Sequence, residues 1–241
     1  DSGDWNFQLG YDWTSQSDHR QRYQNLQGVI GEQTLNQNEI FKGLGGYLIS
    51  QWQSNNWTFN GGIRYDNNLL SVEDQFLSNG NNSDEMNLSA FSPQIGFSYR
   101  LNNFSFFGGL SSGYETPTLS ELSATLDGEG GFNKNLDILR ARQIELGLRY
   151  QSEKLQGSIV GYSISTVKDI LPYESASFPS QTLYQNIGET HRNGIEWEAN
   201  YQPTPIVSIR ANYNIAANTF ENGNYDGMEL PGIAKDFGQF S

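Results

Sequence analysis

The chain of 241 residues contains no cysteine, two histidines and few basic residues. The lack of cysteine excludes a disulfide framework and any thiolate metal site. Only 14 lysines and arginines stand against 27 aspartates and glutamates, which argues against nucleic-acid binding, because that binding depends on basic side chains at the phosphates. No apolar run reaches the roughly 18 residues of a membrane helix. A signal peptide is absent and both ends fall within strand-like patterns, so we expect a piece of a longer protein.

Catalytic and metal chemistry have little support in the sequence. His19 and His191 lie near arginines, but no nucleophile or carboxylate signature accompanies either of them. The Asn-rich stretch 222–227 resembles the start of a calcium loop, yet Ile233 occupies the twelfth position, where a Glu is needed. We therefore expect no catalytic residue, no metal site and no cofactor.

The residues that are present suit a wall with one apolar face. Hydrophobic residues make up 36% of the chain, which is low for a packed soluble core, whereas aromatic residues reach 13% and there are 26 glycines. A transmembrane β-barrel needs apolar side chains only on its lipid face, because its lumen is polar and wet. The formal charge of −13 indicates either a solvated acidic surface that keeps the protein soluble or acidic loops with a functional role, and both interpretations stay open.

Alternation of apolar and polar residues with period two dominates the sequence and predicts β-strands. It is clear in the windows 5–13, 57–65, 91–101, 144–150, 195–201 and 207–215. Strand 155–168 is ambiguous, because Ile159 and Val160, or Tyr162 and Ile164, compete for opposite faces, and its facing stays open. We predict about ten antiparallel strands in one domain that covers residues 1–241.

Short and long connections alternate along the chain. Short turns near Asn55, Asn102, Glu153 and Pro203 follow one another at intervals of 47, 51 and 50 residues. Longer connections are expected near 16–38, 67–87, 115–141, 172–182 and 220–232. Outer-membrane barrels have short periplasmic turns and long extracellular loops, so this asymmetry favours a membrane barrel over a soluble sandwich. If Asn102-Asn103 is a two-residue turn, Leu101 should pair with Phe104, Tyr99 with Phe106 and Ile95 with Leu110.

Three sets of side chains follow from this arrangement. Aromatic residues in bands at the strand ends are predicted to lie at the membrane interface: Trp13, Trp52, Trp57, Tyr65, Tyr99, Phe104, Tyr150, Tyr201 and Tyr213. Charged residues on the polar face are predicted to line the lumen, with Arg210 beside Glu198 or Glu196: Arg64, Arg100, Glu145, Arg149, Glu196, Glu198 and Arg210. Aromatic residues of the long extracellular loops are predicted to contact ligand: Tyr23, Tyr114, Phe132, Tyr173 and Phe178.

Five segments, in the same order, resemble the barrel of TonB-dependent receptors, in particular the branch that takes up siderophores and ferric-citrate-like chelates. They are FSPQIGFSY (91–99), GYETPTLSEL (113–122), GFNKNL (131–136) followed by QIELGLRY (143–150), NIGETHRNGIE (186–196) and LPGIAK (230–235). The resemblance runs from about Tyr23 to the C-terminus. It departs from the family pattern at 138–140 and at Ala234 and Asp236.

The resemblance implies a bacterial outer-membrane barrel of about 22 strands that an N-terminal plug domain closes. It also implies an iron-chelate substrate, outer-membrane lipid around the barrel and TonB as the energy-supplying partner, reached through an N-terminal segment outside this chain. A passive porin-like or structural barrel and a soluble secreted β-protein remain as alternatives. The alternative that would make the protein an enzyme is a small ten-stranded outer-membrane protease. Cobalamin, other metals and oligosaccharides are alternative substrates.

Overall fold

The computed structural model describes residues 3–125, 130–176, 178–222 and 225–241. Ten strands form one antiparallel sheet, in the order β1 (Asp4–Leu26), β2 (Val29–Ser54), β3 (Trp57–Asp74), β4 (Asp84–Leu101), β5 (Phe104–Glu115), β6 (Leu139–Gln151), β7 (Leu155–Val167), β10 (Glu189–Thr204), β11 (Val207–Phe220) and β12 (Asp236–Phe240). A separate hairpin consists of β8 (Ile170–Ser175) and β9 (Phe178–Asn186). The prediction of about ten antiparallel strands is confirmed. Strands β1 and β12 are the edges, so the sheet formed by these residues is open.

Helices are few in this part of the chain. A 3-10 helix spans Leu77–Asn79, and the helix α1 spans Leu119–Leu122. No helix among the described residues is long and apolar enough to cross a membrane.

The short turns set the register of the sheet. Asn55 and Asn102 adopt φ values of 50° and 51°, a left-handed conformation that asparagine tolerates better than most residues. Across the second turn, Leu101 pairs with Phe104, and the predicted pairs further along the two strands are also present. The prediction of this register from the sequence is confirmed.

The expected long loops contain far more strand than their sequence indicated. Strands β1 and β2 continue to a two-residue turn at Gln27-Gly28, so most of the expected loop 16–38 is a paired hairpin. With 23 and 26 residues, both strands exceed the roughly 9–11 residues that cross a bilayer. Tyr23, Tyr114 and Tyr173 therefore lie on strands rather than in irregular loops. Polar strands remain paired in water, because the backbone groups that point across the hairpin bond to each other and those on its outer edges bond to water.

The facing of β7, ambiguous in the sequence, is set by its neighbours. Ile159 pairs with Leu148 on one side and Trp197 on the other, and all three belong to the outer, apolar face. Val160, Tyr162 and Ile164 consequently point inwards. Tyr162 lies over Gly194, where a Cβ atom would be only 2.5 Å from its hydroxyl oxygen. A glycine on β10 thus makes room for this inward tyrosine.

Candidate ligand groove and inner wall

The connection between β5 and β6 folds back over the inner face of the sheet. Within it, Thr118 is the N-cap of α1: its Oγ1 accepts a hydrogen bond from the amide of Glu121 at 3.2 Å, and the Glu121 carboxylate accepts one from the amide of Thr118 at 2.8 Å. This capping box starts the single turn of α1. The turn aims Leu119 and Leu122 at the wall, and both are buried. We call residues 116–125 and 130–138 the inner segment.

An apolar cluster holds the inner segment against the wall. Leu70, Val72, Leu88 and Ala90 lie on the inward faces of β3 and β4, near the strand ends opposite the short turns, and they are buried. The inner segment contributes Leu119, Leu122, Phe132, Leu136 and Ile138. The sequence predicted a water-exposed inner face throughout, but the part of it that the apolar cluster occupies is shielded from water. The alternation in β3 and β4 could not predict this, because the segment that covers their apolar inward residues is distant in sequence.

A buried carboxylate adds a polar clamp to this packing. Glu39 on β2 is 1% exposed, and its Oε1 accepts hydrogen bonds from Gln37 Nε2 at 2.7 Å and from Ser123 Oγ at 2.7 Å. Arg20 Nε on β1 lies 3.1 Å from the same oxygen, and Arg20 Nη2 donates to Ser120 Oγ at 3.1 Å. Two strands of the wall thereby bind α1 and the residue that follows it. A buried charge of this kind needs its donors in place.

A second clamp fixes the other end of the inner segment. The side chain of Asn186 binds the amide of Asp137 at 2.7 Å and donates to the carbonyls of Asp137 and Lys168. The Lys168 ammonium contacts the Asp137 carboxylate and, together with the amide of Ile138, holds the pKa of that carboxyl below its usual range. Both ends of the inner segment are therefore tied to the wall.

Buried Asp169 extends this clamp to β10. It is 4% exposed; its Oδ2 accepts from Thr190 Oγ1 at 2.9 Å and lies 3.3 Å from Arg192 Nη2. Its Oδ1 has no hydrogen-bond partner among the described residues. This carboxylate and its partners anchor the base of the β8–β9 hairpin to the main sheet.

Between the inner segment and the β8–β9 hairpin lies an open cavity of about 640 Å³, here named the ligand groove. Its lining is mostly polar, with amide, carboxylate, ammonium and phenol groups: Asn82, Asp84, Thr125, Asn133, Lys134, Tyr173, Tyr184 and Asn186. Lys134 Nζ lies 2.7 Å from Asp84 Oδ1 across it, and the lysine side chain is 63% exposed. Such a groove offers hydrogen bonds, aromatic surface and a cationic group to a polar ligand.

The groove brings together two of the five residues predicted to contact ligand. Tyr173 and Phe132 both line it, although Phe132 is also buried in the apolar cluster. Tyr114 packs against that cluster and accepts a hydrogen bond from Asn68 at 3.2 Å. Tyr23 lies apart, near the tip of the β1–β2 hairpin, where its hydroxyl contacts Gln21 and Gln33. The side chain of Phe178 lies outside the described part of the chain. Ligand contact stays a prediction for each.

The predicted lumen charges occupy the inner face, but few of them form ion pairs. Arg64 contacts Asp66 at 2.7 Å and also the carboxylate of Asp12. Arg149 lies over the Phe107 ring at 5.4 Å, and Glu145 accepts from Gln143 at 3.2 Å.

Glu198 and Arg210 do not face each other as the sequence suggested. Arg210 directly opposes Asn200 across the β10–β11 hairpin, so Glu198 faces Asn212 instead and accepts a hydrogen bond from Ser158 at 3.1 Å. A two-residue turn at Pro205-Ile206 and an irregularity between Tyr201 and Thr204 set this register. No ion pair within the described residues involves Arg100, Glu145, Glu196, Glu198 or Arg210.

The predicted interface aromatics at the short turns pack in pairs. The ring centroids of Trp57 and Tyr99 are 4.6 Å apart, and those of Phe104 and Tyr150 are 5.0 Å apart. Others of the set lie singly along the outer face, with Tyr213 also donating to Asp236 at 2.9 Å: Trp13, Tyr65 and Tyr201. Trp52 joins the turn-side group through Phe59, at 5.7 Å. Their position at the lipid interface remains a prediction.

Sequence reasoning missed Gln37, Glu39, Lys134 and Asp169. Gln37 and Glu39 lie between Leu35 and Phe41 on one face of β2, and these apolar neighbours are the local signal that this face is covered. The partners of Asp169 lie 21 and 23 residues away, and no local signal marks them. No group of three or more His, Cys, Asp and Glu among the described residues could hold a metal ion.

Comparison with known proteins places the whole chain in one family of sequences. The family described as "TonB dependent receptor-like, beta-barrel" matches residues 1–241. The structure resembles the copper transporter OprC (TM-score 0.74, 19% identity, 97% of this chain and 38% of that one). It also resembles the siderophore receptor PiuA from Acinetobacter baumannii, with a TM-score of 0.75 and 14% identity over 98% of this chain and 40% of that one. A third similar structure is the ferric yersiniabactin uptake receptor FyuA from Yersinia pestis, with a TM-score of 0.71 and 17% identity over 99% of this chain and 36% of that one. At these identities the likeness shows the fold, and this chain spans less than half the length of each.

Proposed function

Because this chain belongs to the TonB-dependent receptor β-barrel family, we propose that it is part of an outer-membrane transporter that takes up a metal chelate, with a ferric siderophore as the favoured substrate. The energy for uptake comes from TonB, and a plug domain elsewhere in the full-length protein closes the barrel. The strand ends opposite the short turns face the outside of the cell, which puts the ligand groove at the entrance.

The observation that carries this proposal is the inner segment on the wall. A passive pore needs an open, wet lumen, whereas here Leu119, Leu122 and Phe132 seal a connection against the inner face. The contacts of Glu39 stabilise this docked position, because departure of the inner segment would remove one of the three donors from a buried carboxylate and so cost free energy. A wall that carries its own inward obstruction favours a gated receptor over a porin-like barrel.

The groove supports a chelate as substrate. Tyr173 and Tyr184 supply aromatic surface and hydroxyl groups, and Lys134, paired with Asp84, supplies an ammonium group that can donate hydrogen bonds to a polar chelate. The names of PiuA and FyuA refer to a siderophore and to ferric yersiniabactin, and that of OprC refers to copper. Iron is favoured, and a copper chelate is the second candidate that these names support.

The test is uptake by the full-length protein in an outer-membrane host without receptors of its own. Radiolabelled ferric siderophores of several chemical classes and a copper chelate are supplied with and without a working TonB. We expect saturable accumulation of one metal chelate that stops when TonB is removed. Diffusion of unrelated small solutes at the same rate in both hosts would support the porin-like alternative and refute the proposal.

A groove variant tests the entrance separately. Tyr173→Ala should weaken binding of the transported chelate about ten-fold, as is typical when a well-placed aromatic contact is lost. Tyr225→Ala is the matched control, because Tyr225 is exposed and does not line the groove. Equal affinity of the two variants would place the binding surface elsewhere.

A further inference from the structure

The sheet opens along a seam between β4 and β5. These strands pair only from Leu101–Phe104 to Gln94–Ser111. Beyond that point β4 still pairs with β3 as far as Asp84, and β5 still pairs with β6 as far as Glu115. Pro93 stands where the ladder ends; proline has no N–H to donate, so it weakens the continuation of pairing.

The seam forms a cavity of about 630 Å³ that passes between the strands and is lined from both faces, with Gln94, Ser111 and Gln143 on the inward side. Phe91, Ile95 and Leu110 give it apolar walls, and these side chains are 54–60% exposed. Ile95 pairs with Leu110, which pairs with Ile144, so this floor is continuous with the apolar outer surface of the sheet. Arg140 and Arg142 stand at its outer end, and both are exposed.

The arginines lie where the outer face changes from apolar to polar. On β5 and β6 the outward residues Leu110 and Ile144 are followed, two residues further along, by Ser112 and Arg142. On β7 and β10 the outward residues are already polar one row earlier, at Ser163 and Asn193. On β6 the hydrocarbon boundary therefore falls between Ile144 and Arg142. Arginines at this level reach the lipid headgroups while their stems lie along apolar surface.

Neither arginine is neutralised by the described part of the chain. Arg142 makes no hydrogen bond or ion pair there, and Arg140 acts on Asp137 only through its charge, while Lys168 holds that carboxylate. Two free cations at a membrane boundary contrast with the net charge of −13. They complement an anionic headgroup, because guanidinium groups bind phosphate with charge-assisted hydrogen bonds.

We propose that this seam is a binding site for one phosphorylated, acylated lipid of the outer leaflet. An acyl chain fills the groove along Phe91, Ile95 and Leu110, and a headgroup phosphate binds Arg140 and Arg142. This site rests on the membrane location proposed above but not on the transported substrate. It differs from the ligand groove, which lies on the inner side.

The experiment uses the full-length protein, inserted into nanodiscs, with lipid binding followed by native mass spectrometry. The probes are bis-phosphorylated lipid A, the same lipid after removal of its phosphates, and inorganic phosphate alone. Arg140→Gln/Arg142→Gln is the charge variant and Leu110→Trp fills the groove. Arg149→Gln is the matched control, because it lies on the same strand and faces inwards.

We expect the charge variant to bind phosphorylated lipid A about 10- to 30-fold more weakly than wild type, at about 1 kcal/mol per basic residue near the surface. Leu110→Trp should also weaken binding, and Arg149→Gln should not. Equal binding of the dephosphorylated lipid, or full competition by inorganic phosphate, would overturn the proposal. Insertion is measured first by folded-state migration in detergent: a protein that fails to insert refutes the membrane location itself, whereas an inserted one tests the lipid site alone.

Discussion

Leu122→Ala should release the inner segment from the wall without unfolding the sheet. Leu122 is 0% exposed at the centre of the apolar cluster, and its carbonyl accepts a hydrogen bond from the amide of Asn133 at 2.7 Å. The cluster joins elements that are distant in sequence, whereas the sheet is held by its own ladder of backbone hydrogen bonds. The substitution therefore weakens the packing of the inner segment on the sheet and leaves the sheet itself intact.

The magnitude follows from complete burial. Leucine loses about three methylene equivalents on truncation to alanine, which removes about 2.4 kcal/mol of transfer free energy. A rigid wall cannot collapse fully onto the space, so the cavity raises the cost to about 3–4 kcal/mol. That corresponds to about a 100- to 1,000-fold increase in the equilibrium constant for opening of the inner segment.

Hydrogen exchange on the full-length protein measures this opening directly. Amides of residues 119–125 and 130–138 should exchange about 100- to 1,000-fold faster in the variant, while those of β3 and β4 keep their protection. Leu26→Ala is the control, because Leu26 is 56% exposed near the hairpin tip and should change little. Unchanged exchange in the inner segment would refute the packing argument, and a uniform rise over the sheet would refute its independence.

Three further predictions concern the clamps and the inner wall. Glu39→Gln should raise exchange in α1 about ten-fold, because Arg20 loses its buried partner; unchanged exchange would mean that the clamp contributes nothing. Lys168 lowers the pKa of Asp137, so their contact stabilises the inner segment above the ordinary Asp pKa of about 4 and is lost as pH falls through the lowered value. A pH series of exchange at 130–138 should show loosening only in acid, and Lys168→Met should weaken that dependence, leaving the smaller part due to the Ile138 amide and Arg140. Gly147→Ala should displace the ring of Phe107, whose Cζ would lie 2.3 Å from the new Cβ, and a crystal structure that shows the ring unmoved would contradict this.

The two faces of the sheet carry different kinds of side chain. Outwards, β6 changes from an apolar residue at Ile144 to a charged one at Arg142, which is the level at which the proposed membrane location puts the lipid headgroups. Inwards, polar side chains such as Arg149 lie towards the short turns, and the apolar cluster with its docked segment lies towards the other end. An incoming ligand would therefore meet the groove and the inner segment before it reached the lumen charges.

The strands and their register could be predicted because they depend on local patterns. Alternation from Ile144 to Tyr150 places its apolar residues on one face, and Asn102 permits the turn that pairs Leu101 with Phe104. The extent of the hairpins could not, since polar residues such as those around Gln21 and Asn36 occur equally in loops and in water-exposed strands. The facing of β7 needed Leu148 and Trp197 beside Ile159.

By itself the amino-acid sequence determined that this protein is an antiparallel wall with an apolar outer side, because the period of two and the turn residues act between near neighbours. The site was decided by the tertiary structure alone. Glu39 and Ser123 are 84 residues apart, and Asn186 binds Asp137 across 49. Such contacts form only when the sheet has brought the strand ends together. Folding therefore decided which side chains line the groove and which part of the inner face is dry.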